Sequence, residues 1–163
     1  MNKKIIALLL VVALAVSGAF AFGIGGMWSN VTGTSLTVAP QGHEGIYFGI
    51  GWNQWGSGTN GLTVSGEYKF WEWYFLNNIG GFFSWGLQAG AGVDVSIGFI
   101  GGFGLGLGVY GFFGTNLYFD FGKLGLEFFC QWQPHLYMNI VPSFGFYWPY
   151  AWGGYASGFR FWF

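Results

Sequence analysis

Charged side chains are scarce in this sequence. Asp, Glu, Lys and Arg make up 7% of the 163 residues, whereas about a quarter of the residues in an average globular protein are charged. Beyond residue 21 the basic residues are Lys69, Lys123 and Arg160, and they form no patch that would neutralise nucleic-acid phosphates. So few charges would not keep a soluble protein dispersed. The composition therefore argues against a nucleic-acid partner and predicts that the protein's solvent is lipid.

Cysteine and cofactor motifs are also lacking. Cys130 is the single cysteine, which excludes an internal disulfide framework and argues against a cysteine-ligated metal site. The glycine-rich segment 104–108 is accompanied neither by a βαβ pattern nor by a phosphate-binding basic residue, so it does not predict nucleotide binding. We therefore expect no metal and no other cofactor.

Long uncharged segments are present, but their pattern is not helical. Residues 95–119 would be long enough to cross a membrane as a helix. In GFGLGLGVY (102–110), however, glycine alternates with large residues at a period of two, and a helix would lose roughly 0.8 to 1 kcal/mol at each glycine relative to alanine. The other uncharged segment, 135–157, is interrupted by prolines. Because a chain in lipid must satisfy its backbone hydrogen bonds internally, the remaining solution is a closed barrel.

The segment 1–21 has the features of a cleaved secretory signal. Two lysines precede an apolar run from 5 to 16, and Ala19 and Ala21 occupy the small-residue positions of a cleavage site. An uncleaved membrane anchor is the alternative, but the apolar run is short for one. We predict that residues 1–21 are removed and that the mature chain begins at Phe22; cleavage after Ala19 is the second option.

Alternating polarity runs through the rest of the chain and assigns faces. In LTVSGEYKFW (62–71) the even positions are apolar and the odd positions are mostly polar. LGLEFFCQWQ (124–133) repeats this arrangement, with Phe129 as an exception on the polar side, and FSWGLQAGAGVD (83–94) shows it with the opposite parity. Strands with one apolar and one polar face, separated by turn residues, are typical of a transmembrane β-barrel.

The last residues, GFRFWF, also read as a strand. Counting back by twos from Phe163 places Phe161 and Phe159 on one face and Arg160 on the other. A final strand with alternate aromatic residues and a terminal phenylalanine resembles the C-terminal strand of bacterial outer-membrane barrels. The resemblance implies that Phe159, Phe161 and Phe163 form an assembly signal for the barrel-assembly machinery. The alternative is a hydrophobic edge strand of a soluble sandwich, which the signal segment and the low charge disfavour.

Residues 22–163 suit one all-β domain, an antiparallel up-and-down transmembrane barrel. At about 9 to 11 residues per strand, this length fits eight strands and not a sixteen-stranded porin. The longest connection is 30–44, which falls on the outer surface if both termini are periplasmic. A turn around Gly122 and Lys123 would divide one of the predicted strands. The predicted strands are 22–29, 45–54, 62–73, 82–94, 98–112, 117–132, 139–148 and 154–163.

The strand parity also predicts a polar cluster in the barrel interior. An eight-stranded barrel is so narrow that side chains just fill it, and buried charges must be paired or hydrogen-bonded. The cluster has two interpretations, a path for protons or ions and a structural plug of salt bridges, and the narrow bore favours the plug. The residues assigned to it are Glu67, Lys69, Asp94, Asp120, Glu127 and Arg160.

A catalytic role would depend on His43. It lies beside Glu44 in the predicted connection 30–44, and a histidine that activates one of the nearby hydroxyls, Ser29, Thr32, Thr34 or Ser35, would attack a lipid ester. Small barrels that modify lipid A exist, but no motif of theirs matches this sequence. His135 has no suitably spaced serine. We therefore expect no catalytic residue and no enzyme.

The whole pattern resembles the transmembrane domain of outer membrane protein A and its small eight-stranded relatives. The resemblance implies a location in the bacterial outer membrane, in contact with its lipid and lipopolysaccharide. We expect a noncatalytic protein that presents surface loops, with an envelope-structural or an adhesion and binding role and an extracellular ligand reached through 30–44. The alternatives are a lipid-modifying enzyme that uses His43 and a narrow pore.

Overall fold

Ten β-strands form the regular structure of this computed structural model, which describes residues 22–40, 45–54, 60–100, 102–147 and 153–163. Within these ranges no helix is long and apolar enough to cross a membrane. In chain order the strands are β1 (Phe22–Ser29), β2 (Gly33–Pro40), β3 (Ile46–Gln54), β4 (Asn60–Ile79), β5 (Phe83–Ile100), β6 (Gly104–Asp120), β7 (Gly125–Trp132), β8 (His135–Val141), β9 (Gly145–Tyr147) and β10 (Tyr155–Trp162).

The strands form one antiparallel sheet that closes on itself. β1 pairs with β2 on one side and with β10 on the other. β6 pairs with β8 along its first half and with β7 along its second half, so β7 and β8 act as one barrel strand that is interrupted at Gln133 and Pro134. β9 pairs with β8, and β10 pairs with β7, so β9 and β10 share the next position. The result is a closed eight-stranded antiparallel barrel, which confirms the predicted all-β barrel fold.

The register of the strands determines the shape of this barrel. Following paired residues once around the barrel from Phe22 leads back to β1 about ten residues further on, near Thr32. A stagger of this size tilts the strands by roughly 40° and leaves an interior that side chains can fill. The backbone N–H of Phe163 donates to the carbonyl oxygen of Phe22 at 3.1 Å. Both described termini therefore lie at one end, which we call the termini end; the other is the far end.

Side chains alternate between the two surfaces of the barrel wall. In β7, every second residue from Gly125 is buried, while Phe128 and Trp132 are exposed on the outside. β5 buries its even positions, and β10 buries Ala156 and Arg160. Large apolar side chains thus lie outside and polar ones inside, with the parity that the sequence predicts for these strands.

A β-bulge at Phe70 reverses the parity within β4. Lys69 is paired with Gly90 and Trp71 with Ala89, so Phe70 is the extra residue. Phe70 and Trp71 are both exposed on the outside, as expected where two residues oppose one on the partner strand. Inward positions are therefore odd up to Lys69 and even at Glu72 and Tyr74, after which the register shifts again.

Four sequence-based assignments are wrong, those of the connection 30–44 and of the strands 98–112, 117–132 and 139–148. Each of these three predicted strands spans parts of two observed strands. The segment 30–44 is not one loop, because it contains β2. The inward positions of β2 are Ser35 and Thr37, whose small hydroxyl side chains resemble loop composition although Leu36 and Val38 alternate with them. The predicted strand 117–132 joins the end of β6 to β7 across the turn anticipated at Gly122. The predicted number of strands is correct because the missed β2 is offset by the separately counted 139–148.

Candidate functional site

The barrel interior gathers five of the six residues predicted for the polar cluster. Glu67, Asp94, Glu127 and Arg160 are buried, and Arg160 is only 1% exposed. Lys69 is half-buried near the termini end. Asp120 lies on the inward parity of β6 but is exposed at the end of the strand, where its Oδ1 accepts a 2.7 Å hydrogen bond from the Gly122 backbone N–H. Its carboxylate stabilises the turn between β6 and β7 and lies outside the cluster.

Arg160 is the centre of the cluster. Its guanidinium carbon lies 3.9 Å from the ring centroid of Tyr47 and 4.1 Å from that of Phe129. These distances are well within the range of cation–π attraction, which strengthens when the cation is desolvated. Phe129, the apolar exception on the polar face of its strand, therefore has a definite role: its ring covers a buried cation.

Two glutamates compensate the charge of Arg160. Arg160 Nη1 donates to Glu127 Oε2 at 3.3 Å, and Arg160 Nη2 lies 3.9 Å from Glu67 Oε2. Arg160 and Glu127 are direct partners in the β7–β10 register, so strand pairing itself brings the ions together. We call these residues the arginine layer: Tyr47, Glu67, Glu127, Phe129 and Arg160.

Neutral donors complete the environment of both glutamates. The Tyr110 hydroxyl donates to Glu67 Oε1 at 3.0 Å, and Gln133 Nε2 donates to the same oxygen at 3.4 Å. The Trp162 indole N–H donates to Glu127 Oε2 at 3.2 Å. Buried carboxylates need such partners because an uncompensated charge in a dry interior is strongly destabilising.

A second ion pair lies nearer the termini end. Lys69 Nζ donates to Glu72 Oε1 at 2.7 Å, and the same oxygen accepts from the Tyr74 hydroxyl at 2.9 Å and from Asn116 Nδ2 at 2.7 Å. Sequence reasoning missed Glu72, because an uninterrupted alternation through 62–73 places it outside. The signal that would have found it is the adjacent pair Phe70 and Trp71, which marks a possible bulge.

A third buried pair joins Asp94 to His135. Asp94 Oδ2 lies 2.8 Å from His135 Nε2, and both side chains are almost fully buried. Gly108 makes room for them, because a Cβ at this position would overlap both His135 Nε2 and Asp94 Oδ2. Continuing the odd inward parity of β7 through Gln133 predicts that His135 faces the interior.

The described residues contain no arrangement of a nucleophile and a base. Ser96 Oγ lies 3.5 Å from Asp94 Oδ1, so the carboxylate stands between the hydroxyl and His135, whereas a triad places the histidine in the middle. Ser29, Thr32 and Ser35 are buried in the barrel wall. His43 and Glu44 lie outside the described residues. In the described ranges no group of three or more His, Cys, Asp or Glu side chains is placed to hold a metal ion.

The outer surface carries the residues predicted to form the assembly signal. Phe159 and Phe163 are exposed, and Phe161 is partly exposed on the same face. The rings of Phe159 and Phe161 are 5.7 Å apart, as are those of Phe163 and Phe22. The terminal aromatic residues thus lie along the seam where β10 meets β1 and closes the barrel.

Aromatic rings continue around the outside near the termini end. Phe75 lies 5.9 Å from Trp73 and 4.8 Å from Trp85, and Phe119 contacts Phe128 at 6.3 Å. With the rings at the β1–β10 seam, they form a band on strands β4 to β7, β10 and β1. No family model, no curated protein and no solved structure matches this chain.

Proposed function

We propose that this protein is a noncatalytic integral β-barrel of a bacterial outer membrane, similar to the transmembrane domain of outer membrane protein A and its small relatives. The observation that carries the proposal is the polarity of the fold, because the buried charged side chains lie in the interior while large apolar side chains cover the outside. Phe144 and Phe146 are 71% and 70% exposed. A soluble protein has the opposite arrangement.

The energetic argument follows from the exposed apolar area. Burying a phenylalanine or leucine side chain contributes about 1.5 to 3 kcal/mol, and monomeric soluble proteins rarely expose contiguous apolar patches larger than a few hundred Å². Here such side chains lie on the outward face of every strand of the closed barrel. Lipid would bury all of them, whereas water would favour aggregation. The aromatic band near the termini end suits a membrane interface, where rings with a polar edge are favoured.

The arginine layer supports a structural role for the interior rather than transport. Side chains from β3, β4, β7 and β10 meet there around one buried guanidinium. We infer that it acts as the predicted plug, and that envelope support or binding by the far-end connections is the function. These connections join β1 to β2, β3 to β4, β5 to β6 and β8 to β9, and they replace the single loop 30–44 as the surface for an extracellular ligand.

The proposal also includes contacts with the envelope. Lipid and lipopolysaccharide would surround the apolar outer face, and the barrel-assembly machinery would read Phe159, Phe161 and Phe163. The exposure of these rings beside β1 suits a segment that a partner recognises before the barrel closes.

The native cysteine provides a direct test of the membrane location. Cys130 is exposed on the outward face of β7, so we expect a membrane-impermeant maleimide to label it in unfolded protein but not in intact membranes. Matched controls in a Cys130→Ser background are Ser143→Cys, at an exposed far-end turn, and Lys123→Cys, at an exposed termini-end turn. We expect Ser143→Cys to react on whole cells and Lys123→Cys to react only after the outer membrane is permeabilised. Full labelling of Cys130 in membranes would refute the proposal, and the reverse pattern of the controls would invert its orientation.

A further inference from the structure

An open cavity of about 770 Å³ lies at the termini end of the barrel. We call it the vestibule. Its volume falls in the range of small-molecule sites, which are usually about 300 to 1,000 Å³. Glu127 connects it to the arginine layer, and Lys123 lines it from an exposed turn. The other side chains that matter for binding are Lys69, Glu72, Tyr74, Tyr118 and Trp162.

The vestibule wall carries equal numbers of positive and negative side chains, Lys69 and Lys123 against Glu72 and Glu127. Lys69 is paired with Glu72, and Glu127 is held by Arg160 behind the wall. A strongly anionic ligand would be attracted by the lysines and repelled by the glutamates, and a strongly cationic ligand would experience the reverse. Ammonium groups only donate hydrogen bonds and carboxylates only accept them. Hydroxyl groups, which do both, suit such a wall.

Aromatic side chains with fixed positions complete the wall. The Tyr74 hydroxyl donates to Glu72, and the Trp162 indole N–H donates to Glu127, so both rings are held while they line the cavity. The face of an aromatic ring carries partial negative charge. The C–H groups on the face of a sugar ring carry partial positive charge and stack against such a surface, while the hydroxyls point outward from the sugar's edge.

Gly125 determines the position of one ring on the vestibule wall. A Cβ at this position would overlap the hydroxyl and ring carbons of Tyr118. The glycine therefore allows the Tyr118 ring to lie over the backbone of β7, and any larger residue would displace that ring from its position.

We propose that the vestibule binds a neutral saccharide of one or two rings, stacked on Trp162 and hydrogen-bonded through its hydroxyls to Lys69 and Glu72. The site opens at the termini end, which is the periplasmic end in the orientation proposed above. The binding itself depends only on the closed barrel and not on the role of the far-end connections.

The first experiment uses the protein purified from membranes in a detergent without a sugar headgroup. Maltose and N,N′-diacetylchitobiose are titrated while the indole N–H resonances are recorded by NMR, with choline and inorganic phosphate as charged comparators. We expect a disaccharide to shift the Trp162 resonance in a saturable way and to leave that of Trp132, which faces outward, unchanged. The absence of any Trp162 shift with both sugars, or tighter binding of choline or phosphate, would overturn the proposal.

A pair of matched glycine variants locates the site independently. Gly125→Ala displaces Tyr118 at the vestibule. Gly106→Ala introduces a similar overlap with Tyr137 inside the barrel nearer the far end. We expect Gly125→Ala to weaken disaccharide binding about tenfold, which corresponds to about 1.4 kcal/mol, and Gly106→Ala to change it less than about twofold. Equal weakening by the two variants contradicts a vestibule site. If Gly125→Ala does not fold, the Trp162 titration of the unmodified protein decides alone.

Discussion

Replacing Arg160 with leucine tests whether the arginine layer holds the barrel together. The substitution keeps a side chain of moderate volume but removes the guanidinium from between Tyr47 and Phe129. Glu127 then loses a partner at 3.3 Å and Glu67 one at 3.9 Å. Glu127 is 3% exposed, and its Oε1 accepts no hydrogen bond from the described residues. Although Glu127 lines the vestibule, its carboxylate is almost fully buried, so little water reaches the charge that remains.

The expected loss of stability follows from this geometry. Removing one partner of a buried ion pair destabilises a protein by about 3 to 5 kcal/mol, chiefly because the remaining charge is uncompensated. The two ring contacts add about 0.5 to 2 kcal/mol each, while the apolar leucine recovers part of that through contact with the same rings. We expect Arg160→Leu to lower the free energy of unfolding by about 3 to 5 kcal/mol.

Reversible urea unfolding in detergent micelles measures this difference, with tryptophan fluorescence and the unboiled gel mobility as independent probes. Adding Glu127→Gln to Arg160→Leu should recover a large part of the loss, because replacing both members of a buried pair is often nearly neutral. Lys69→Met is the matched control at the less buried pair with Glu72 and should cost less than Arg160→Leu, because Tyr74 and Asn116 still donate to the Glu72 carboxylate. A loss no larger in Arg160→Leu than in Lys69→Met, or no recovery in the double variant, would refute the reasoning.

Three further predictions test the seam, the interior packing and the absence of catalysis. Deleting Phe163 should lower the yield of heat-modifiable barrel in the outer membrane while export continues, so periplasmic accumulation or degradation is expected on immunoblots; insertion at normal yield would show that the ring only packs against lipid. Gly108→Ala should destabilise the barrel by about 1 to 3 kcal/mol through overpacking, whereas Gly111→Ala, where a Cβ meets only ordinary contacts, should have little effect in the same unfolding assay. Purified protein should release no fatty acid from lipid A or phospholipid, and turnover that His43→Ala abolishes would assign the protein to the enzymes.

Most of the face assignments could be predicted from the sequence. A strand has a side-chain period of two, so a single polar residue fixes the parity of its neighbours as long as pairing is regular. This holds for Asp94, Glu127 and Arg160, which are buried on the predicted sides of β5, β7 and β10. Parity says nothing about where a strand ends. Asp120 therefore has the inward parity of β6 and is nevertheless exposed.

The bulge at Phe70 shows why other face assignments could not be predicted from the sequence. One extra residue in β4 reverses the faces, and the energy that favours it comes from the partner strand and from placing both Phe70 and Trp71 outside. The contribution of the partner strand is not visible in the local sequence, where only the adjacent pair Phe70 and Trp71 marks a possible bulge. Glu72 was consequently assigned to the apolar face, although in the structure it binds Lys69 and Asn116 inside the barrel. Sequence analysis misses β2 for the same reason. Its inward serine and threonine residues resemble loop composition when the neighbouring strands are not considered.

Strand register also determines how side chains fill the interior. A large inward side chain on one strand lies beside a glycine on the neighbouring strand. A Cβ at Gly90 would overlap the ring of Phe112, one at Gly92 the ring of Tyr110, and one at Gly106 the ring of Tyr137. Within one strand these glycines resemble gaps in the wall. Across the paired strands each is the space that a ring on a neighbouring strand occupies, so the glycine repeat of β6 helps to close the bore instead of opening it. An interior packed in this way tolerates little change in volume. The Arg160 guanidinium is therefore held in one position between the rings of Tyr47 and Phe129. Gly125 follows the same rule at the vestibule, because the Tyr118 ring on the neighbouring strand occupies the space that a Cβ at this position would need.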